Sequence, residues 1–157
     1  REQVGDAVSY VINRNINYTN VCQYSCRFCA FSKGGGEVAA GRTAYDLDGA
    51  ELGRRVEEAV SVGATEVCLQ GGIHPDYTGQ TYLDIVRTVK EAAPDVHVHA
   101  FSPLEIDHGA TTLGLSLKQY LKLLKEAGLD SLPGTAAEVL DERVRAILCP
   151  DKVSAHR

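Results

Sequence analysis

The sequence lacks several features that would have assigned it to a class at once. No apolar run in its 157 residues is long enough to cross a bilayer as a helix. The opening stretch, Arg1-Glu2-Gln3-Val4-Gly5-Asp6, has no secretory pattern, so the expected compartment is the cytosol. Positive charge is not clustered: 16 Lys and Arg are scattered among 21 Asp and Glu, for a net charge of −5. That argues against a nucleic-acid surface, which needs a concentrated basic patch. No low-complexity tract interrupts the chain. With 44% hydrophobic and 24% charged residues it sits in the range of soluble globular domains, and it is long enough for one real core.

Cysteine is not scarce. There are 5, an odd number, and three of them fall within eight residues, at Cys22, Cys26 and Cys29. In a cytosolic protein such clustering points to metal or redox chemistry before disulfides.

The rest of the chain alternates short strands with amphipathic helices. Residues 16–21 read as a strand, rich in β-branched and aromatic residues, followed by a cysteine- and glycine-rich loop to about residue 43. Asp48, with Glu51 three residues on, caps a first helix whose buried face is Leu52, Val56, Ala59 and Val60, and Gly63 stops it. A second strand over 66–69 runs into Gln70-Gly71-Gly72. A second helix buries Tyr82, Val86, Val89 and Ala93 and ends at Pro94. A third strand spans 96–101. Ser116 and Gln119 form the capping box of a third helix with an apolar stripe of Leu117, Tyr120, Leu121 and Leu124, closed by Gly128. A fourth strand over 130–132, the loop 133–138, a fourth helix over 139–148 and a tail complete the reading. Strand–helix units in succession imply an α/β fold with a parallel sheet and right-handed crossovers, its active site at the C-terminal ends of the strands. The cysteine loop, Gln70-Gly71-Gly72, Ser102-Pro103-Leu104-Glu105 and the 133–138 loop all fall at those ends.

Cys22-x-x-x-Cys26-x-x-Cys29 carries the most chemistry. Thiolates are the ligands of iron–sulfur clusters, and three of them can hold three irons of a four-iron cluster and leave the last open to a substrate. An electron carrier or a closed zinc site wants a fourth ligand nearby. Cys68 lies on a strand, Cys149 is far along the chain, and His74 sits beyond another strand. Cys68 and Cys149 read as small buried hydrophobes. Phe28 can shield one side of a cluster or belong to the core. Gln70-Gly71-Gly72 lets backbone approach a ligand closely; the plain alternative is a βα turn. His97, His99 and Phe101 share one strand face, with Val96, Val98 and Ala100 on the other, under the helices. His99 is the candidate substrate contact, with a hydrogen-bonded core histidine as its alternative. Gly34-Gly35-Gly36 reads as a mobile loop and not a phosphate cradle, since no Lys-Ser/Thr follows.

With these motifs the chain resembles the radical S-adenosylmethionine superfamily. Asn13-Arg14-Asn15-Ile16-Asn17-Tyr18-Thr19-Asn20-Val21-Cys22, Cys29-Ala30-Phe31, Leu69-Gln70-Gly71-Gly72-Ile73-His74-Pro75-Asp76, His99-Ala100-Phe101-Ser102-Pro103-Leu104-Glu105 and Leu132-Pro133-Gly134-Thr135-Ala136-Ala137-Glu138 are similar to a subgroup of biosynthetic enzymes. The subgroup includes the FO synthases, of CofH or fused FbiC type, and MqnC, the cyclic dehypoxanthine futalosine synthase of menaquinone biosynthesis. Pro133-Gly134-Thr135-Ala136-Ala137 and Cys149-Pro150-Asp151-Lys152 favour the former.

The resemblance implies one radical SAM core domain over 1–157, the N-terminal part of a TIM-type barrel of parallel β/α units truncated after about four units. It implies a [4Fe–4S] cluster on Cys22, Cys26 and Cys29, S-adenosylmethionine at Gln70, Gly71 and Gly72, and Ser102, Glu105 and Glu138 as polar candidates for the nucleoside or substrate. The reaction it implies is radical transfer of a 4-hydroxybenzyl fragment from L-tyrosine to 5-amino-6-(D-ribitylamino)uracil, toward coenzyme F(420). A ferredoxin or flavodoxin would be the reductant and CofG the partner subunit. The futalosine cyclase and a non-catalytic iron–sulfur or zinc module are the alternatives.

Overall fold

Three parallel strands lie in the order β1–β2–β3, seen in a computed structural model that describes residues 5–32, 43–134 and 139–157. They are β1 (Asn13–Asn17), β2 (Glu66–Gln70) and β3 (His97–Ala100). Rows run across the sheet as Asn13, Glu66, His97 and then Asn15, Cys68, His99. Helix α1 (Gly49–Ser61) joins β1 to β2 and α2 (Gly79–Ala92) joins β2 to β3. Helices α3 (Pro103–Thr112), α4 (Leu117–Ala127) and α5 (Glu142–Leu148) follow. No helix among the described residues is long and apolar enough to cross a membrane.

The sheet is two-faced. Ile16, Val67, Leu69, Val98 and Ala100 are buried in one core with Leu52, Val56 and Ala59 of α1 and Tyr82, Val86 and Val89 of α2. The other face carries Asn13, Asn15, Asn17, Glu66, Cys68, Gln70, His97 and His99, all exposed or half-buried. The caps are as expected. The Asp48 side chain accepts the Glu51 N–H at 2.8 Å, Ser116 accepts that of Gln119, and Gly128 closes α4 at φ 114°.

Several elements differ from the sequence expectation. Strand β1 starts three residues before residue 16 and ends at Asn17. Beyond it, Thr19 and Asn20 turn to side-chain bonding with the returning loop: Thr19 Oγ1 donates to Tyr45 C=O (2.8 Å), and Asn20 Oδ1 accepts from Tyr45 N–H (2.8 Å). Val60 is 40% exposed, because Leu52, Val56 and Ala59 already fill the α1 stripe. The fourth strand is only a single parallel bridge, His99 to Ser131. There the Asp130 carboxylate takes the Val98 N–H (2.8 Å), a ladder position, and Pro133 has no N–H to continue. The last helix begins at Glu142, not 139, because the Asp141 carboxylate caps the Arg143 and Val144 N–H groups. Helix α3 was not expected at all. Ser102 and Glu105 form its capping box and Pro103 takes its first turn. Phe101 leaves the histidine face: at φ 71° it turns out of the strand and is fully buried. Cys68 is half-buried on the polar face, not a core residue. Gly34-Gly35-Gly36 lies outside the described residues.

Candidate active site

The strands end on one side of the sheet, and a cavity of about 320 Å³ opens there. Cys22, Cys26 and Cys29 line it from the loop after β1. Gln70, Gly71 and Gly72 line it from the exit of β2, and Ser102 and Glu105 from the start of α3. Phe28, Phe31, Ile73 and Leu104 supply an apolar wall, and Lys152 completes the rim. Seven of the sequence-expected site residues therefore share a cavity with Glu105, while Glu138 lies outside the described residues. His99 is elsewhere: its Nδ1 and the His97 Nε2 each lie 2.7 Å from Ser131 Oγ.

The glycines of the 70–72 strap are required by close approach. A Cβ on Gly72 would stand 2.1 Å from the Val21 carbonyl oxygen and 2.9 Å from Cys22 Cβ. A Cβ on Gly71 would stand 2.4 Å from the Tyr18 ring. The absence of these side chains lets the cysteine loop lie directly on the strap. Bonds then fix it: Gly72 N–H to Thr19 C=O (2.9 Å), Gln23 N–H to Ile73 C=O (2.9 Å) and Ile73 N–H to Cys22 Sγ (3.3 Å).

The far side of the cysteine loop is held by the last residue of the expected fourth helix and by the tail after it. Arg27 N–H donates to Leu148 C=O (2.9 Å), and Ser25 N–H to Asp151 Oδ2 (2.9 Å). The Lys152 ammonium lies 5.3 Å from the centre of the Phe28 ring, within cation–π range. Cys149, next to Leu148, is buried. No local pattern announces these contacts; the acidic and basic pair at 151–152 is the one signal that could have prompted a search.

All five cysteines are free. Burial pushes the Cys26 thiol up; the Lys152 ammonium pulls it back and the Asp151 carboxylate adds to the rise. Two thiols already receive backbone N–H groups, Cys22 from Ile73 and Cys29 from Ser32 (3.4 Å). Such donors to sulfur are among the features that tune iron–sulfur potentials. Among the described residues no three His, Cys, Asp or Glu converge tightly enough to hold a single metal ion. A four-iron cluster does not ask for that, since each thiolate takes a separate iron. The donor set, three thiols on one short loop around one cavity, suits such a cluster and not a lone tetrahedral zinc.

Behind the strap lies an aromatic group. Tyr18 packs against Tyr77, Tyr82 and Phe101 at centroid distances of 6.2, 6.5 and 6.2 Å. The Tyr18 hydroxyl donates to Glu105, and the Tyr77 hydroxyl to Asp46. Burial pushes the Glu105 carboxyl up, while its bonds to Ser102, Tyr18 and Gly71 work against the rise.

Residues 16–155 match the Radical SAM superfamily. The chain belongs to that superfamily. Among relatives of this radical SAM chain, the "FO synthase" of Streptomyces coelicolor is 54% identical over 155 residues, covering 99% of this chain and 17% of its own length. The "5-amino-6-(D-ribitylamino)uracil--L-tyrosine 4-hydroxyphenyl transferase" of Methanocaldococcus jannaschii is 51% identical over 156 residues, 98% of this chain and 42% of its own. The chain thus spans less than half the length of these relatives. A crystal structure of HydG, a maturase of the [FeFe]-hydrogenase, superposes with a TM-score of 0.67 over 94% of this chain and 30% of its own, at 19% identity. That likeness shows a shared fold, consistent with part of a TIM-type barrel.

Proposed function

We propose that this chain is the cluster- and S-adenosylmethionine-binding core of an enzyme of deazaflavin (FO) biosynthesis. Its substrates are L-tyrosine and 5-amino-6-(D-ribitylamino)uracil. The observation that carries this reading is that three thiols and a strap with two adjacent glycines line one cavity, in a chain half identical to a transferase named for that pair.

Cys22, Cys26 and Cys29 would each hold one iron of a [4Fe–4S] cluster and would leave the last open to S-adenosylmethionine. When bound, the reduced cluster and S-adenosylmethionine supply the radical chemistry. The chain's own residues bind, orient and shield. Gln70, Gly71 and Gly72 offer backbone to S-adenosylmethionine at close range. Phe28, Phe31 and Leu104 keep water from the cluster. Ser102 and Glu105 belong to the wall at the nucleoside end, and Glu138 is the polar candidate of the loop beyond. A cytosolic ferredoxin or flavodoxin delivers the electron, and the partner subunit CofG supplies the other half of FO synthesis.

The test is anaerobic reconstitution with iron and sulfide, reduction, and addition of S-adenosylmethionine with or without the two substrates. The expected result is 5′-deoxyadenosine formation that rises when tyrosine is present, and a coupled product only when the ribityl uracil is added as well. Indifference of 5′-deoxyadenosine formation to tyrosine would overturn the substrate assignment.

A further inference from the structure

The exit of β2 is held differently on its two sides. In a parallel ladder the N–H and C=O groups of a strand point alternately to its two neighbours. On the β1 side the ladder continues past the strand: Gln70 C=O accepts from Tyr18 N–H (3.3 Å), and Gly72 N–H donates to Thr19 C=O (2.9 Å). On the β3 side Leu69 C=O still accepts from Phe101 N–H (3.0 Å). The next group on that side is the Gly71 N–H, whose ladder partner would be the Phe101 carbonyl. Phe101 sits at φ 71°, where the chain turns out of the sheet. A side chain fills the place: Gly71 N–H donates to Glu105 Oε1 at 3.1 Å.

Glu105 is an unusual residue for this position. As the third residue of α3 it closes the capping box, its Oε2 accepting the Ser102 N–H at 2.6 Å. A capping box needs no more than that. Here the carboxylate is 1% exposed, and its other oxygen also accepts the Tyr18 hydroxyl. A glutamate is almost never fully buried without such partners. Its donors come from the exits of all three strands that frame the cavity: Tyr18 after β1, Gly71 after β2 and Ser102 after β3. The Tyr18 ring fills the space above Gly71 and leaves that peptide little room.

We propose that Glu105 is the positioning residue of the 70–72 strap, its carboxylate replacing the backbone carbonyl that β3 withdraws at Phe101 and so fixing the Gly71 peptide against S-adenosylmethionine. This inference rests on the functional reading above. It changes the role of Glu105 from a contact with nucleoside or substrate to a support beneath the strap. The Phe101 turn opens the gap between β2 and β3, and Glu105 keeps β2 in order across it.

The experiment uses Glu105→Gln in the reconstituted chain, with Ser116→Ala as a control that removes a helix cap far from the cavity. Two quantities are read: the Kd for S-adenosylmethionine by anaerobic equilibrium dialysis, and the amide proton shift of Gly71 by NMR of the cluster-free, glycine-labelled chain. Glutamine keeps the shape but offers one acceptor oxygen where Ser102 and Gly71 need two. The expected result is unchanged iron content, a Gly71 amide proton moved upfield, and a Kd raised about tenfold, the scale of one lost charge-assisted bond. Ser116→Ala should lower thermal stability and leave both readouts unmoved. If wild type binds S-adenosylmethionine and Glu105→Gln moves the Gly71 amide proton yet binds within about twofold, the role given to Glu105 is wrong; if the proton does not move, the amide oxygen has stayed on Gly71, and Glu105→Leu, which offers no acceptor, is read by the same criterion. A wild-type chain that loads its cluster and does not bind S-adenosylmethionine overturns the functional reading, and this inference with it. Should Glu105→Gln fail to fold, Tyr18→Phe replaces it. The carboxylate bond to Gly71 remains there, so the Kd should stay within about threefold, and a tenfold loss would assign the order of the strap to Tyr18 instead.

Discussion

Gly72→Ala is the sharpest single perturbation of the cysteine loop. The new Cβ would lie 2.1 Å from the Val21 carbonyl oxygen and 2.9 Å from Cys22 Cβ. Relief needs a backbone shift of roughly 1 Å, since non-bonded carbon contacts are comfortable only at about 3.5 Å. The clash is with backbone, not with the end of a flexible side chain, so it cannot be relieved by a rotamer change. The shift would strain three bonds at once: Gly72 N–H to Thr19, Gln23 N–H to Ile73, and Ile73 N–H to Cys22 Sγ. Overpacking of this kind costs about 1–3 kcal/mol. For a domain of this size that corresponds to a fall in Tm of roughly 3–10 °C. Cys22 moves with the backbone, so iron and sulfide retained after anaerobic reconstitution should fall well below wild type. Gly63→Ala is the matched control. Gly63 has φ 94° and nothing within 4 Å of a built Cβ, so it suffers backbone strain alone. It should lose about 1 kcal/mol of stability and load iron normally. A Gly72→Ala chain that melts and loads like wild type would show that the loop does not rest on the strap as described.

Alanine at Cys22, Cys26 or Cys29 should each abolish the visible absorption and electron paramagnetic signal of the reconstituted cluster, while alanine at Cys68 or Cys149 should preserve both. Cys149→Ala should still lower Tm, because that side chain is buried. Asp151→Ala removes the acceptor for Ser25 N–H and should weaken cluster retention on dilution with a stability loss of about 1 kcal/mol; Asp151→Asn, which keeps an acceptor oxygen, should recover most of it. Asp130 is one source of acid sensitivity. Burial pushes its carboxyl up, but the Val98 N–H and the Lys90 ammonium outweigh that and hold it below its usual value. A depressed folded value stabilises above the unfolded value of about 3.9 and is lost as the pH falls through the folded one, so thermal melts of Asp130→Asn should show a shallower decline below about pH 4 than wild type.

What could be read from the sequence was local. The cysteine spacing, the Asp48 and Ser116 caps, the Gly128 stop and the two-faced third strand each rest on residues within a turn or two of one another, where stereochemistry decides the outcome. Helix α3 was equally legible by that standard. Ser102-Pro103-Leu104-Glu105 carries the same capping box as Ser116 and Gln119, with proline at a favoured first position, but its polar residues are equally suited to bind a ligand. The fourth strand failed for a different reason. Only Leu132 of residues 130–132 is apolar, the Asp130 side chain competes for the ladder, and Pro133 cannot join it. The deeper supports of the site were beyond any local pattern. Tyr18 and Glu105 are 87 residues apart, and Ser25 and Asp151 are 126 apart. Only the folded chain brings them together.

A four-iron cluster on Cys22, Cys26 and Cys29, with one open iron beside residues 70–72, underlies every role proposed for this chain. The most direct measurement is the electron paramagnetic spectrum of the anaerobically reconstituted, reduced chain, recorded before and after S-adenosylmethionine is added, with iron and sulfide determined on the same sample. The expected result is about four irons and four sulfides per chain and a signal whose shape changes on addition, because the ligand meets the open iron. Zinc in place of iron, or a cluster signal indifferent to S-adenosylmethionine, would contradict it.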